Sequence, residues 1–178
     1  MVTVSVAPEV IAIATDDVQE WLRIDAGDTS QDTTINSLIA TAISRVQQRA
    51  NRSLITQTRV ATFGYGDTLI LPYTPVQSIT SVESQGTDGA WTAVSASAYV
   101  NMGMGRLEFK QPGTYRCTYV AGYGDDVTDV PDDAKRAICR FVAERFEFRT
   151  GTVTGAISVK QDGLSWKDEL SAIRIPTI

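Results

Sequence analysis

Apolar residues recur at helical spacing over residues 131–149, and the positions between them are mostly charged. This pattern is typical of an amphipathic α-helix. Pro131 suits the first helical position because its missing N–H and fixed φ cost nothing there, and Asp132 and Asp133 complement the helix dipole. We therefore predict a helix over 131–149 that ends before Gly151.

Two earlier stretches also have helical periodicity. We predict one helix over residues 15–24 with Thr15 as its N-cap, and a second helix over residues 32–50 with Asp32 as its N-cap. Burying a large apolar side chain contributes roughly 1.5–3 kcal/mol, so the helix at 131–149 needs a partner with an apolar face. We predict that it pairs with the helix at 32–50 through a core of Ile35, Leu38, Ile39, Ile43, Val46, Ile138, Phe141, Val142 and Phe146.

The other face of the helix at 32–50 is polar but almost free of charge. An ordinary solvated face is one interpretation. The other is contact with a second protein subunit, since the cores of interfaces are depleted in charged residues. The candidates for such a subunit interface are Asn36, Ser37, Thr41, Ser44 and Gln48.

Between residues 54 and 121 the pattern changes to short runs with strand composition, separated by turn residues. The predicted strands are Thr56–Phe63, Thr68–Leu71, Val76–Glu83, Trp91–Val94, Arg106–Phe109 and Thr114–Val120. The predicted turns are Gly64-Tyr65-Gly66-Asp67, Gly86-Thr87-Asp88-Gly89, Gly103-Met104-Gly105 and Pro112-Gly113. An antiparallel β-module inserted between packed helices makes the predicted fold α+β, a small helical bundle with a β-insertion within residues 1–150.

Residues 151–178 lack sustained periodicity but contain several large apolar side chains. Such a segment either folds back on its own domain or docks on a partner protein. We predict an extended C-terminal tail for partner docking, with Trp166, Leu170, Ile173 and Ile175 as its anchors.

The composition excludes several classes of chemistry. The chain has no histidine, so Ser-His-Asp, Cys-His and histidine-bearing zinc sites are excluded. Its net charge of −5 argues against a protein that grips phosphate backbones. Cys117 and Cys139 are predicted to be buried free thiols. No apolar run could span a bilayer and no signal peptide is recognisable, so synthesis in the cytoplasm is expected.

The motifs that could carry chemistry are weak. Tyr123-Gly124-Asp125-Asp126 matches the metal-binding turn of palm-type polymerases, but only over four residues. Such a polymerase needs a far larger chain and further acidic motifs, so we interpret these residues as a Gly-rich turn. The acidic run from Asp125 to Asp133 lacks the spacing of a calcium loop, and no phosphate-binding glycine motif occurs. We predict no catalytic residues, no metal and no cofactor.

The order of several short segments is more informative than any one of them. These segments are Val18–Asp25, Asn51–Thr58, Leu71-Pro72, Pro75–Val82, Tyr119–Gly124 and Val130–Ile138. Over residues 15–149 their order and spacing resemble the head-to-tail connector family of long-tailed double-stranded DNA phages. These proteins are also called adaptor or head-completion proteins and are found in gene transfer agents.

The resemblance implies a structural virion protein without catalytic activity. Members of the family assemble as a ring, here expected to be dodecameric, that attaches to the portal after DNA packaging, partly through the C-terminal segment. The ring offers its other side to a stopper or tail-completion protein, and DNA passes through it without specific binding. The expected location is the head-tail junction of the virion, after synthesis in the bacterial host cytoplasm.

Two other classes of function are compatible with the residues alone. A monomeric β-rich binding module without a viral role would have a pocket in the β-region. A carboxylate-based hydrolase would have two clustered acids with raised pKa values in a cleft. Portal, protease and major capsid genes beside the coding sequence would favour the connector.

Overall fold

The three-dimensional structure is a computed structural model that describes residues 1–25, 27–147 and 165–174. Within these residues the chain forms three α-helices and one six-stranded antiparallel sheet, which confirms the predicted α+β class. The helices are α1 (Thr15–Trp21), α2 (Asp32–Ala50) and α3 (Asp132–Glu147). The strands are β1 (Val2–Val6), β2 (Gln57–Ile70), β3 (Val76–Gln85), β4 (Trp91–Ala93), β5 (Tyr99–Gly103) and β6 (Arg106–Ala121).

The helices follow the sequence pattern, but their N-caps do not. Ala14 and Gln31 occupy the N-cap positions of α1 and α2, and neither makes a side-chain capping bond. Thr15 Oγ1 instead donates a hydrogen bond to Asn36 Oδ1 at 2.8 Å, and Asp32 Oδ1 accepts one from Gln19 Nε2 at 2.6 Å. The predicted caps therefore link α1 to α2.

Two helix ends differ from the predicted ones. Helix α1 ends at Trp21 rather than at residue 24, because Arg23 has a φ of 57°, outside the helical region. Helix α3 is described as far as Glu147, and the last two predicted helical residues, 148 and 149, lie outside the described residues.

The sheet is built on two long strands. Its order is β1-β2-β6-β3-β4, and β5 pairs with the first part of β6. The predicted turns at residues 64–67 and 112–113 are wrong, because these residues continue β2 and β6. Gly66 lies directly opposite Gly113, and the register shifts on both sides of Gly66. The glycines therefore mark a bulge where paired strands bend.

Two strands were missing from the sequence prediction. Strand β1 pairs with β2, and the amino group of Met1 donates to Thr62 O at 2.9 Å. Strand β5 precedes the tight turn at residues 103–105. That turn is confirmed, as is the turn at residues 86–89, where Gly86 N donates to Ala90 O at 2.8 Å.

The helices share one apolar cluster. Of the nine predicted core residues, six are buried in it: Ile35, Ile39, Val46, Ile138, Phe141 and Val142. Leu38, Ile43 and Phe146 are half-buried and pack against it. Helix α1 contributes Val18, and the chain before it contributes Ile13.

A second apolar cluster lies on the sheet, and a buried arginine stands between it and the end of α2. Arg59 on β2 is 5% exposed, and its Nε donates to Ser53 Oγ at 2.8 Å. The guanidinium also lies 3.8 Å from the ring centroid of Tyr73. Burial lowers the pKa of Arg59, although an arginine remains charged at neutral pH. The contacts of this cation connect the sheet to the chain after α2.

The segment formed by residues 165–174 packs against the helices. Leu170 is fully buried in the helical cluster, and Trp166 and Ile173 lie against it. Arg52 Nε donates to Ile173 O at 2.8 Å, and Glu169 forms an ion pair with Arg140 at 2.8 Å. The prediction of an extended tail over residues 151–178 is therefore wrong for residues 165–174, which fold back onto the helices. Residues 151–164 and Ile175 lie outside the described residues.

Candidate functional site

The predicted subunit-interface face of α2 is exposed along its whole length. All five candidates (Asn36, Ser37, Thr41, Ser44 and Gln48) are exposed. Thr41 Oγ1 donates to Ser37 O at 3.0 Å, so part of its polarity is satisfied within the helix. The face is available to a second subunit, and its use as an interface stays a prediction.

A groove of about 690 Å³ adjoins this face, between α2, α3 and residues 165–174. It is lined by Leu38, Thr41, Arg45, Gln48, Arg49, Phe141, Arg145, Trp166 and Lys167. Four of these residues are cationic, and none of the described lining residues is acidic. Thr41 and Gln48 belong both to the groove and to the predicted interface face.

Two aromatic rings form one wall of the groove. The Phe141 and Trp166 rings meet edge to face with their centroids 5.4 Å apart. Arg145 lies 5.7 Å from the Phe141 centroid, and the Lys167 ammonium lies 5.8 Å from the Trp166 centroid. Among the described residues, none of the four cations of the groove forms an ion pair. The groove can therefore hold a negatively charged group against apolar surface.

The cations of the groove were missed by the sequence reasoning. Arg45 and Arg49 are four residues apart, which places them on one side of α2 and is a local signal. Arg145 and Lys167 come from distant parts of the chain, and only the packing of residues 165–174 on α3 brings them to the same groove. Lys167 falls in a stretch that has no sustained periodicity.

The acidic turn before α3 is organised by its own hydrogen bonds. Asp126 accepts hydrogen bonds from Thr128 N at 3.0 Å and Thr128 Oγ1 at 3.1 Å, and these bonds hold the pKa of Asp126 below its usual value. Asp129 Oδ2 accepts a bond from Asp126 N at 3.1 Å. Two of the acids therefore shape the turn. Within the described ranges, no three acidic or cysteine side chains converge as metal ligands.

The two cysteines are buried and free, as predicted. Burial raises the pKa of Cys117 to about 12 and that of Cys139 to about 11, so both thiols are protonated at neutral pH. Within the described part of the chain, no helix combines the length and the apolar character needed to cross a membrane.

Comparison with known proteins identifies the family. The family model described as "Head completion protein" matches residues 12–155, which include all three helices and strands β2 to β6. The chain belongs to the head completion protein family. This confirms the family predicted from the order of segments over residues 15–149.

Solved structures of the same fold come from gene transfer agent (GTA) particles. One is described as "Neck of empty GTA particle computed with C6 symmetry" and another as "Virion of native gene transfer agent (GTA) particle". Each matches with a TM-score of 0.75 and 20% sequence identity, over 100% of this chain and 97% of the other. "Neck of native GTA particle computed with C12 symmetry" matches over the same shares with a TM-score of 0.72 and 19% identity. At these identities the likeness concerns the fold. A search of curated proteins found no match.

Three of the segments that carry the family resemblance meet at one junction in this head completion protein. Gln77 Nε2 donates to Thr56 Oγ1 at 2.9 Å and to Gly122 O at 3.0 Å. Gly122 N donates to Pro75 O at 3.0 Å, and Thr56 N donates to Gly124 O at 2.8 Å. These family segments therefore join the helices to the sheet, which is a structural task.

Proposed function

We propose that this head completion protein is a structural subunit of the virion neck. It assembles with copies of itself into a dodecameric ring at the head-tail junction, attaches to the portal after DNA packaging, and serves as the platform for a stopper or tail-completion protein. The observation that carries the proposal is the family match over residues 12–155. The shared fold with chains of GTA particles supports it.

The electrostatics of the chain suit a ring around passing DNA. A net charge of −5 disfavours adhesion to a phosphate backbone, so the genome would move through the ring without specific binding. The exposed, weakly charged face of α2 offers each subunit a surface for its neighbour. The function is assembly, and no catalytic step is part of it.

The portal contact is proposed for the C-terminal region, where Trp166, Leu170, Ile173 and Ile175 are the predicted anchors. Leu170 is fully buried against its own helices, so it could reach the portal only if residues 165–174 left their site. That exchange would expose a leucine, at a cost of roughly 1.5–3 kcal/mol, which the portal surface would have to offset. Trp166 and Ile173 are half-buried and would be released with it.

Removal of the protein from its own particle tests the proposal. In the phage or gene transfer agent that encodes it, deletion of the gene should leave DNA-filled heads without tails, counted by electron microscopy. Purified protein added to these heads should restore tail joining, whereas heat-unfolded protein should not. Complete tailed particles from the deletion strain would contradict the proposal.

A second experiment tests the absence of catalysis. Asp125→Asn and Asp126→Asn change the carboxylates that resemble a polymerase turn, and neither variant should abolish head completion, because no catalytic carboxylate is lost. A turnover activity that disappears in either variant, while thermal melting shows an intact fold, would make the protein an enzyme.

A further inference from the structure

The groove between α2, α3 and residues 165–174 concentrates positive charge in an acidic chain. The whole sequence has 16 lysines and arginines against 21 acids, yet four of those cations and none of the described acids line this groove. Arg45 and Arg49 are exposed on α2, and Arg145 and Lys167 are exposed on the other side. Such an arrangement favours an occupant that carries several carboxylates.

The chain itself presents a surface of that kind. We call it the acidic ridge and define it by the exposed residues Asp125, Asp126, Asp129 and Asp132. Asp132 is the first residue of α3, and Arg145 of the groove lies near its other end. At 1.5 Å per residue, the two positions are about 20 Å apart along the helix axis. The ridge therefore cannot fill the groove of its own chain, because α3 holds them apart.

We propose that the groove receives the acidic ridge of a second copy of this chain. The two surfaces are different and lie towards opposite ends of one helix, so the contact is head-to-tail, and a repeated head-to-tail contact closes into a ring when its rotation permits. Arginine is suited to this role because its guanidinium binds carboxylates through two parallel hydrogen bonds. The inference rests on the proposed ring and names the surfaces that build it.

The predicted interface face of α2 continues the same contact. Thr41 and Gln48 line the groove, and Ser44 lies beside Arg45 in the adjoining depression. A neighbour seated on the four cations would therefore also cover uncharged polar residues. Charge pairs at the groove would set the orientation of the two copies, and the α2 face would add contact area.

Reversing charges on one surface at a time tests the proposal. The groove variant is Arg45→Glu with Arg49→Glu, and the ridge variant is Asp125→Lys with Asp132→Lys, which leaves the hydrogen-bonded Asp126 and Asp129 in place. Sedimentation velocity of the full chain should show self-association that each variant weakens roughly tenfold or more in Kd. A chain that carries both changes should recover association, since its charges are complementary again.

Controls separate a lost contact from a lost fold. Arg106→Glu with Lys110→Glu makes the same charge change on exposed positions of β6 and should leave association unchanged. Arg45→Gln with Arg49→Gln removes charge without reversal and should weaken association less than the groove variant. Each variant should melt cooperatively, and added salt should weaken association of the unaltered chain by screening.

Several results would overturn the proposal. A groove variant that associates as tightly as the unaltered chain would be one such result, and a combined variant that associates no more tightly than either single-surface variant would be another. The third is an unaltered chain that stays monomeric at low salt up to a concentration of about 1 mM. Binding of a short DNA duplex that the groove variant loses would assign the groove to nucleic acid instead. If the groove variant still completes tail-less heads, this inference fails and the proposed function stands. If the unaltered protein does not complete them, the function itself fails.

Discussion

Phe141 on α3 and Trp166 in the segment 165–174 meet edge to face, with ring centroids 5.4 Å apart and an angle of 81° between the planes. This geometry is favourable for aromatic pairs and contributes about 0.5–1.5 kcal/mol beyond the buried area. Phe141 is 6% exposed, and the Trp166 ring covers part of it. The pair therefore belongs both to the helical core and to the wall of the cationic groove.

Phe141→Ala should strongly destabilise the protein. Loss of a buried phenylalanine creates a cavity between α2 and α3, and the expected decrease in the free energy of unfolding is about 3–5 kcal/mol, measured by denaturant unfolding. Tyr65→Ala is the matched control, because Tyr65 is 77% exposed. An unchanged melting temperature for Phe141→Ala would show that this face of α3 is not core.

Gly122→Ala should disrupt the junction between helices and sheet. Gly122 has a φ of 153°, and an added Cβ would lie 2.4 Å from the backbone N of Thr56, a clash that only a backbone shift could relieve. We expect a loss of at least about 1–3 kcal/mol in unfolding free energy. Gly64→Ala is the control, since a Cβ at Gly64 would have no heavy atom within 4 Å. Equal melting temperatures for the two variants would contradict this account.

The ion pair between Glu83 and Arg116 should make stability depend on pH. Arg116 Nε donates to Glu83 Oε2 at 2.8 Å, between residues directly opposite each other on β3 and β6. This hydrogen bond holds the pKa of Glu83 below its usual value. A carboxyl with a lowered pKa stabilises the fold above its unfolded pKa of about 4.3, and that contribution is lost as the pH falls through the lower folded pKa.

Glu83→Gln should therefore lower the unfolding free energy at neutral pH by roughly 0.2–1 kcal/mol, the usual range for an ion pair near the surface. The difference from the unaltered protein should shrink as the pH falls below about 4. Urea unfolding over this pH range measures it, with Glu108→Gln on β6 as an exposed control. A difference that stays constant with pH would rule out the linkage.

The paired helices could be predicted because their information is local. The 3.6-residue period of α2 and α3 shows directly in the sequence, and the predicted start and end of α2 coincide with the structure. The two long strands could not be predicted in the same way. Gly66 and Gly113 are compatible with a turn or with a bulge, and the sequence does not show that they lie opposite each other.

The same distinction between local and long-range information applies to the candidate site. The uncharged polar face of α2 is visible in the sequence because helical spacing defines it. The groove beside it is not, because its cations come from α2, α3 and residues 165–174. The position of residues 165–174 could not be predicted either. Leu170 could pack on its own chain or on a partner protein, and its apolar character alone does not distinguish the two.

The packing of residues 165–174 gives the last prediction. Leu170 has no exposed surface and lies among the core residues of the helices, so Leu170→Ala should cost about 2–5 kcal/mol of unfolding free energy. Ser171→Ala, one position along on an exposed residue, should have little effect. Both are measured by denaturant unfolding of the full chain.

Removal of residues 163–178 should destabilise the fold more than Leu170→Ala alone. The truncation also removes the Trp166 ring from Phe141 and the Glu169 carboxylate from Arg140 and Arg136. Both arginines would then lose their ion pair with Glu169, although Arg136 would keep the one with Asp133, and this loss adds an electrostatic cost to the lost apolar contact. A truncated protein that melts at the temperature of the full chain would mean that the segment contributes nothing to the isolated subunit. Its apolar side chains would then be available to the portal without any cost of release.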